Sequence, residues 1–168
     1  ARLRFAFASC QHYESGLYTA YQHMAREDLD LIVHLGDYIY EGGAAADRVR
    51  RHPSGVCLTL DDYRLRYAQY KSDPALQAAH AMAPWIVTWD DHEVENNYAN
   101  LNPQDPIDAV GFAERRAAAY QVWWEHMPVR LDPPVDQNFT IYRQVQLGGL
   151  VNMLVLDGRQ YRNDQACG

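Results

Sequence analysis

The 168-residue chain carries 15 Lys and Arg against 22 Asp and Glu, a formal net charge of −7. That length supports one domain able to bury roughly 70% of its unfolded surface, and the acidic balance argues against non-specific nucleic-acid binding, which needs a net basic face. No apolar run approaches the roughly 18 residues of a membrane span, and no charged-then-apolar signal peptide opens the chain.

Cys10, Cys57 and Cys167 form neither a Cys-x-x-Cys pair nor an even set, so no disulfide framework is expected; a single bridge from Cys57 to Cys167 would leave Cys10 free. Leu3 to Ala8 reads as a strand ending in the small polar loop Ser9-Cys10-Gln11-His12. Leu17, Ala20, Tyr21 and Met24 recur at helical spacing and predict an amphipathic crossover helix over Gly16 to Glu27. The apolar run Leu31 to Leu35 suits a strand buried on both faces of a parallel sheet. Gly36 then lets the backbone turn, so Asp37 lands just past a strand's carboxyl end, where open α/β sheets bind ligands, with Tyr40 three residues on. The βαβ unit brings Cys10 and Asp37 to one rim. Alone, each has an ordinary reading: Cys10 as a packed core thiol, Gly36-Asp37 as a turn.

Gly42 to Gly55 reads as a long, flexible loop whose end, Arg48-Val49-Arg50-Arg51-His52-Pro53, is the only dense basic cluster. It is either a solvated charge run or a lid whose guanidinium groups hold phosphate oxygens. Thr59 caps a helix to Lys71, and Asp73-Pro74 starts another that runs to Met82; the tyrosine stripe Tyr63, Tyr67, Tyr70 reads as core. Trp85 to Trp89 is a third buried strand, followed by Asp90-Asp91-His92-Glu93-Val94-Glu95-Asn96-Asn97. Four consecutive ionisable side chains after an apolar strand are costly to bury unless they bind a metal or pair with one another. A helix over Ala109 to Met127 follows, with Phe112, Ala119, Tyr120, Trp123 and Trp124 as its inner face. Phe139 to Leu147, a Gly148-Gly149 turn and Leu150 to Leu156 predict an antiparallel hairpin closing the sheet. Asp157-Gly158-Arg159-Gln160-Tyr161-Arg162 then reads either as a salt-bridged turn or as contacts supporting a site.

Three strand ends thus present Cys10, Asp37 with Tyr40, and Asp90 to Asn97, a donor set for two cations. Two metals can stabilise the attacking and leaving oxygens of an in-line displacement at phosphorus. Tyr and Cys ligate as phenolate and thiolate, with free pKa values of roughly 10 and 8.5, which calls for a strongly Lewis-acidic ion. Ferric iron meets that demand better than magnesium, while zinc accepts the thiolate but has less use for the phenolate.

The stretches Phe7 to Gln11, His34 to Glu41, Leu60 to Arg64, Trp89 to Asn97 and Leu156 to Arg162 resemble motifs of the PhoD-like alkaline phosphatases, a branch of the calcineurin-like metallophosphoesterases, and the resemblance covers nearly the whole chain. It implies an αββα sandwich binding Fe3+ and Ca2+ (Zn2+ or Mn2+ as the alternative, in an enzyme acting mainly on diesters), and secreted, extracellular or periplasmic, hydrolysis of phosphomonoesters and phosphodiesters by a metal-bound hydroxide. By position, Cys10 and Tyr40 would be iron ligands, and Asp37 would bridge the two metals. Asp91 would stand where these enzymes commonly place an Asn ligand, and His92 where they place the His that contacts phosphate and assists the leaving group. Asn97, with Asp90, would serve the calcium site, and Arg50 or Arg51 would contact phosphate. Family members continue past this length with further ligands, for which nothing after Arg162 is a candidate. Residues 1–168 are therefore expected to be one partial, N-terminal portion of the catalytic domain that needs its C-terminal remainder. The competing expectation is an incomplete or degenerate metal-binding module without activity of its own.

Overall fold

The computed structural model describes residues 2–164. Three short strands, β1 (Phe5–Ala8), β2 (Leu31–His34) and β3 (Trp85–Val87), form a parallel sheet in the order β1-β2-β3. Phe5 pairs with Leu31 and Ile32 with Trp85, so the three carboxyl ends finish side by side.

Alternation along the strands sorts side chains into two cores. Ile32, Trp85 and Val87 join the main core beneath the helices, while Leu31, Val33 and Ile86 pack on the other face against Val145, Leu147, Met153 and Val155. The helices are α1 (Thr19–Met24), α2 (Leu60–Lys71), α3 (Pro74–Met82) and α4 (Phe112–His126). Thr59 accepts from the Asp62 amide while Asp62 reaches back to Thr59 N, a reciprocal cap that starts α2, and Asp73 caps α3 ahead of Pro74. Tyr63, Tyr67 and Tyr70 of α2 are fully buried, as the stripe predicts, and Trp123 and Tyr120 of α4 meet them in the same core.

Strands β4 (Arg143–Leu147) and β5 (Val151–Val155) form the expected antiparallel hairpin, but it is a separate two-stranded sheet. It lies on the open face of the parallel sheet instead of extending its edge, joined to it by the Thr88 hydroxyl donating to Leu156 O (2.9 Å) and by Arg143 donating to Val87 O (2.8 Å). Helices, parallel sheet and hairpin are successive layers, the order an αββα sandwich requires.

Two further expectations change. The first helix spans only Thr19–Met24, because Gly16 is fully extended and Leu17 is 69% exposed. Residues 42–55 are pinned from inside. Buried Glu14 accepts from Ala45 N and His52 N, and fully buried Arg66 donates to Tyr40 O, Gly42 O and Gly55 O. Cys57 is buried with a free thiol, which burial pushes up to about 11; Cys167, its expected partner, lies outside the described residues. Among the described residues no helix is long and apolar enough to cross a membrane.

Candidate active site

The site grows from backbone contacts between strand-end loops. Cys10 N donates to Gly36 O (3.2 Å) and Gln11 N to Asp37 O (3.1 Å), continuing the β1–β2 ladder into the loops. Gly36 has φ +110°, and a Cβ there would lie 2.4 Å from Asp90 N and 2.7 Å from Trp89 C. Only glycine permits that approach between the β2 and β3 loops. Trp89 fixes the start of the second loop by stacking on Tyr120 at 4.3 Å and donating to Asp157 Oδ1 (3.0 Å).

On this base Asp37, Asp90 and Asp91 converge, with one carboxylate oxygen from each within 4.8 Å of the others. Tyr40 donates its hydroxyl to Asp37 Oδ2 (3.0 Å), and the Cys10 thiol interacts with both Asp37 and Tyr40. Asp37 is 6% exposed, yet its Oδ1 is buried without a hydrogen-bond partner. Burial, reinforced by the negative charge of Asp91 and Asp90, raises its pKa against the opposing pull of His92 and Tyr40. Burial also raises the Tyr40 phenol and the Cys10 thiol, and the Asp37 charge adds to both shifts. Both therefore keep their protons at neutral pH until a cation displaces them. An orphaned carboxylate oxygen amid two more carboxylates, a phenol and a thiol fits a cation chemically: the oxygens suit hard ions, the thiolate and phenolate a strong Lewis acid.

His92 stands at the rim, its ring centroid 4.1 Å from that of Tyr40, and its Nδ1 pairs with Glu41 Oε2 (2.8 Å). Burial disfavours the imidazolium, but the hydrogen bond and charge of Glu41, with the charges of Asp37 and Asp91, outweigh it and raise the His92 pKa. Glu41 Oε1 also takes Asn96 N (2.7 Å). Asn97 enters through its backbone, with φ +57° and its N–H donating to Asp91 Oδ2 (2.7 Å).

Arg50 and Arg51 are placed otherwise than as free phosphate contacts. The Arg50 guanidinium sits 3.7 Å over the Tyr13 ring, pairs with Asp73 (2.6 Å) and donates to Tyr13 O (2.9 Å), its side chain 14% exposed. Arg51 is exposed, and its carbonyl accepts from Gln69.

Three residues outside the predicted ligand and substrate set complete the site. Arg159 donates to Asp90 Oδ1 (2.6 Å), Asp91 Oδ1 (2.8 Å) and Tyr98 O (3.3 Å), so the turn after β5 is salt-bridged to the aspartates. Glu41 holds His92. Glu93 is buried, and burial pushes its carboxyl up to about 8 despite the backbone amides that hydrogen-bond it. The salt-bridged reading of the turn anticipates Arg159 and the ionisable run after β3 contains Glu93, but neither names the partner, and Glu41 is signalled only by its place in a quoted motif. Arg159→Met should destabilise the protein by about 3 kcal/mol, because it leaves the buried Asp91 charge without its partner. Chemical denaturation checks this; a loss under about 0.5 kcal/mol would show that the pairing is incidental.

Residues 5–168 match the family model of the PhoD-like phosphatases. The chain belongs to that family. Alkaline phosphatase D of Bacillus subtilis (strain 168) is 56% identical over 171 residues, covering 98% of this chain and 29% of the relative. A solved structure titled "Structure of PhoD" superposes with a TM-score of 0.92 at 56% identity, covering 96% of this chain and 32% of that one. The chain thus spans about a third of the length of the relatives it matches.

Proposed function

We propose that these residues form the larger part of a two-cation centre in a phosphatase that hydrolyses phosphomonoesters, phosphodiesters or both, with ferric iron and calcium as the cations. The observation that carries the reading is Asp37: its carboxylate converges with those of Asp90 and Asp91, accepts from Tyr40 and interacts with the Cys10 thiol, with Oδ1 buried and unpartnered. Cys10 and Tyr40 would hold the iron, Asp37 would bridge, and Asp91 and Asn97, with Asp90, would serve the calcium. When bound, the cations supply Lewis acidity that activates a water and neutralises charge on the phosphoryl oxygens.

The chain's own part is to orient and to move a proton. Glu41 accepts from His92 Nδ1, which fixes the ring's orientation and leaves the other ring nitrogen to contact the phosphate and protonate the leaving oxygen. Arg159 offsets the charge of Asp90 and Asp91 and keeps both aimed inward. Turnover is assigned to the whole protein. A groove of about 490 Å³, lined by Phe5, Phe7, Leu35, Met153, Leu154 and Leu156, leaves apolar side chains open between the sheet and the hairpin, a surface for the remaining length of the domain to cover. The whole protein is further proposed to act outside the cytoplasm, extracellular or periplasmic, on the strength of the family resemblance alone.

The test is His92→Ala in the full-length enzyme. Turnover of an aryl phosphate should fall by about 10²-fold or more with metal content unchanged. A fall of less than threefold would remove His92 from the mechanism.

A further inference from the structure

Glu93 makes contacts that neither metal ligation nor catalysis requires. It is 1% exposed, and its two oxygens accept three backbone N–H groups from two loops: Oε2 takes Asp37 N (3.1 Å) and Asp90 N (2.8 Å), and Oε1 takes Tyr38 N (2.5 Å). Two of these donors belong to the residues that carry the converging carboxylates. They lie on loops from different strands, so one side chain straps together segments more than 50 positions apart in sequence. The strap also sits where the backbone needs holding. Asp37 has φ +55°, a left-handed conformation uncommon for a residue with a Cβ, and Gly36 beside it is packed against Asp90 N. Across the same contact, three carboxylates face one another within 4.8 Å and repel. Three amides from two loops converge on the two oxygens of one side chain, and the geometry of these bonds fixes direction as well as distance.

We propose that Glu93 is the positioning residue of the cation centre: it sets the register of the β2 loop against the β3 loop, so that Asp37 and Asp90 present their carboxylates to the same ion. The inference rests on the cation-centre reading given above. Glu93 touches neither cation nor substrate in this role; it acts through the backbone of the residues that do.

Two substitutions separate reach from the pair of acceptor oxygens. Glu93→Gln keeps the shape but leaves one acceptor oxygen and introduces an NH2 group that faces amide donors. Glu93→Asp keeps both acceptor oxygens but is one methylene too short to span all three amides. In the full-length protein, titrated with calcium alone, both variants should bind about 10- to 100-fold more weakly than the wild type, the range seen when supporting partners of metal ligands are removed. In the metal-free proteins, hydrogen exchange at the Asp37, Tyr38 and Asp90 amides should quicken in both variants, while amides of α2 and α4 keep wild-type protection. This last readout distinguishes a local strap from general loss of fold. Glu14→Gln, which removes another buried carboxylate from backbone amides at Ala45 and His52, should leave calcium affinity within about threefold. Wild-type affinity in Glu93→Asp, whether or not Glu93→Gln loses it, would show that spanning the three amides is not what positions the carboxylates and would overturn the inference. A wild type that binds no calcium would instead overturn the cation-centre reading, and the inference with it.

Discussion

Asp37→Asn in the full-length enzyme is expected to abolish turnover of an aryl phosphate, with a loss on the order of 10³-fold or more. Asparagine keeps the shape of the side chain and its acceptor for the Tyr40 hydroxyl, so packing is preserved. What disappears is a carboxylate that is 6% exposed, shares a space with Asp90 and Asp91, and has an oxygen with no protein partner. In the metal-free protein that charge is opposed by its neighbours, so the variant should be at least as stable as the wild type at neutral pH. Lost activity with undiminished stability marks a residue kept for chemistry and not for folding. Unchanged turnover would sink the assignment.

Gly36→Ala is expected to act the other way, through the scaffold. A Cβ would meet Asp90 N at 2.4 Å and Asp90 Cβ at 2.6 Å, and these are backbone-anchored atoms that cannot rotate away. The φ of +110° is also outside what an L-residue adopts without strain. Separating the loops breaks the contact that brings Asp37 to Asp90. Stability should fall by about 3 kcal/mol or more, with calcium affinity lost in the same variant. Thermal unfolding and calcium titration of the full-length protein read both effects, and wild-type values in the two would refute the close approach.

Much of this was legible because apolar strands followed by polar clusters are a local signal. Leu31 to Leu35 with Gly36-Asp37, and Trp85 to Trp89 with Asp90 to Asn97, place their carboxylates at strand ends without knowledge of the rest of the chain. Pairings between distant residues carry no such signal. Arg159 and Asp90 are 69 positions apart, and neither the turn nor the acidic loop specifies that they meet. Arg50 misleads for a related reason: a basic run looks solvated or phosphate-seeking, whereas its guanidinium lies flat on Tyr13 and pairs with the cap of α3. The hairpin was legible as a hairpin, but period-two alternation fixes only which side chains share a face. It does not say whether the edge or the face of the parallel sheet receives them.

The most direct measurement is elemental analysis, with the visible spectrum, of the purified full-length protein beside its Asp37→Asn variant. Iron together with calcium in the wild type, a broad visible band from phenolate on ferric iron, and loss of metal and band in the variant are the predicted results. A wild type that hydrolyses phosphate esters while free of metal, or a variant that keeps its full metal content and activity, would contradict the account.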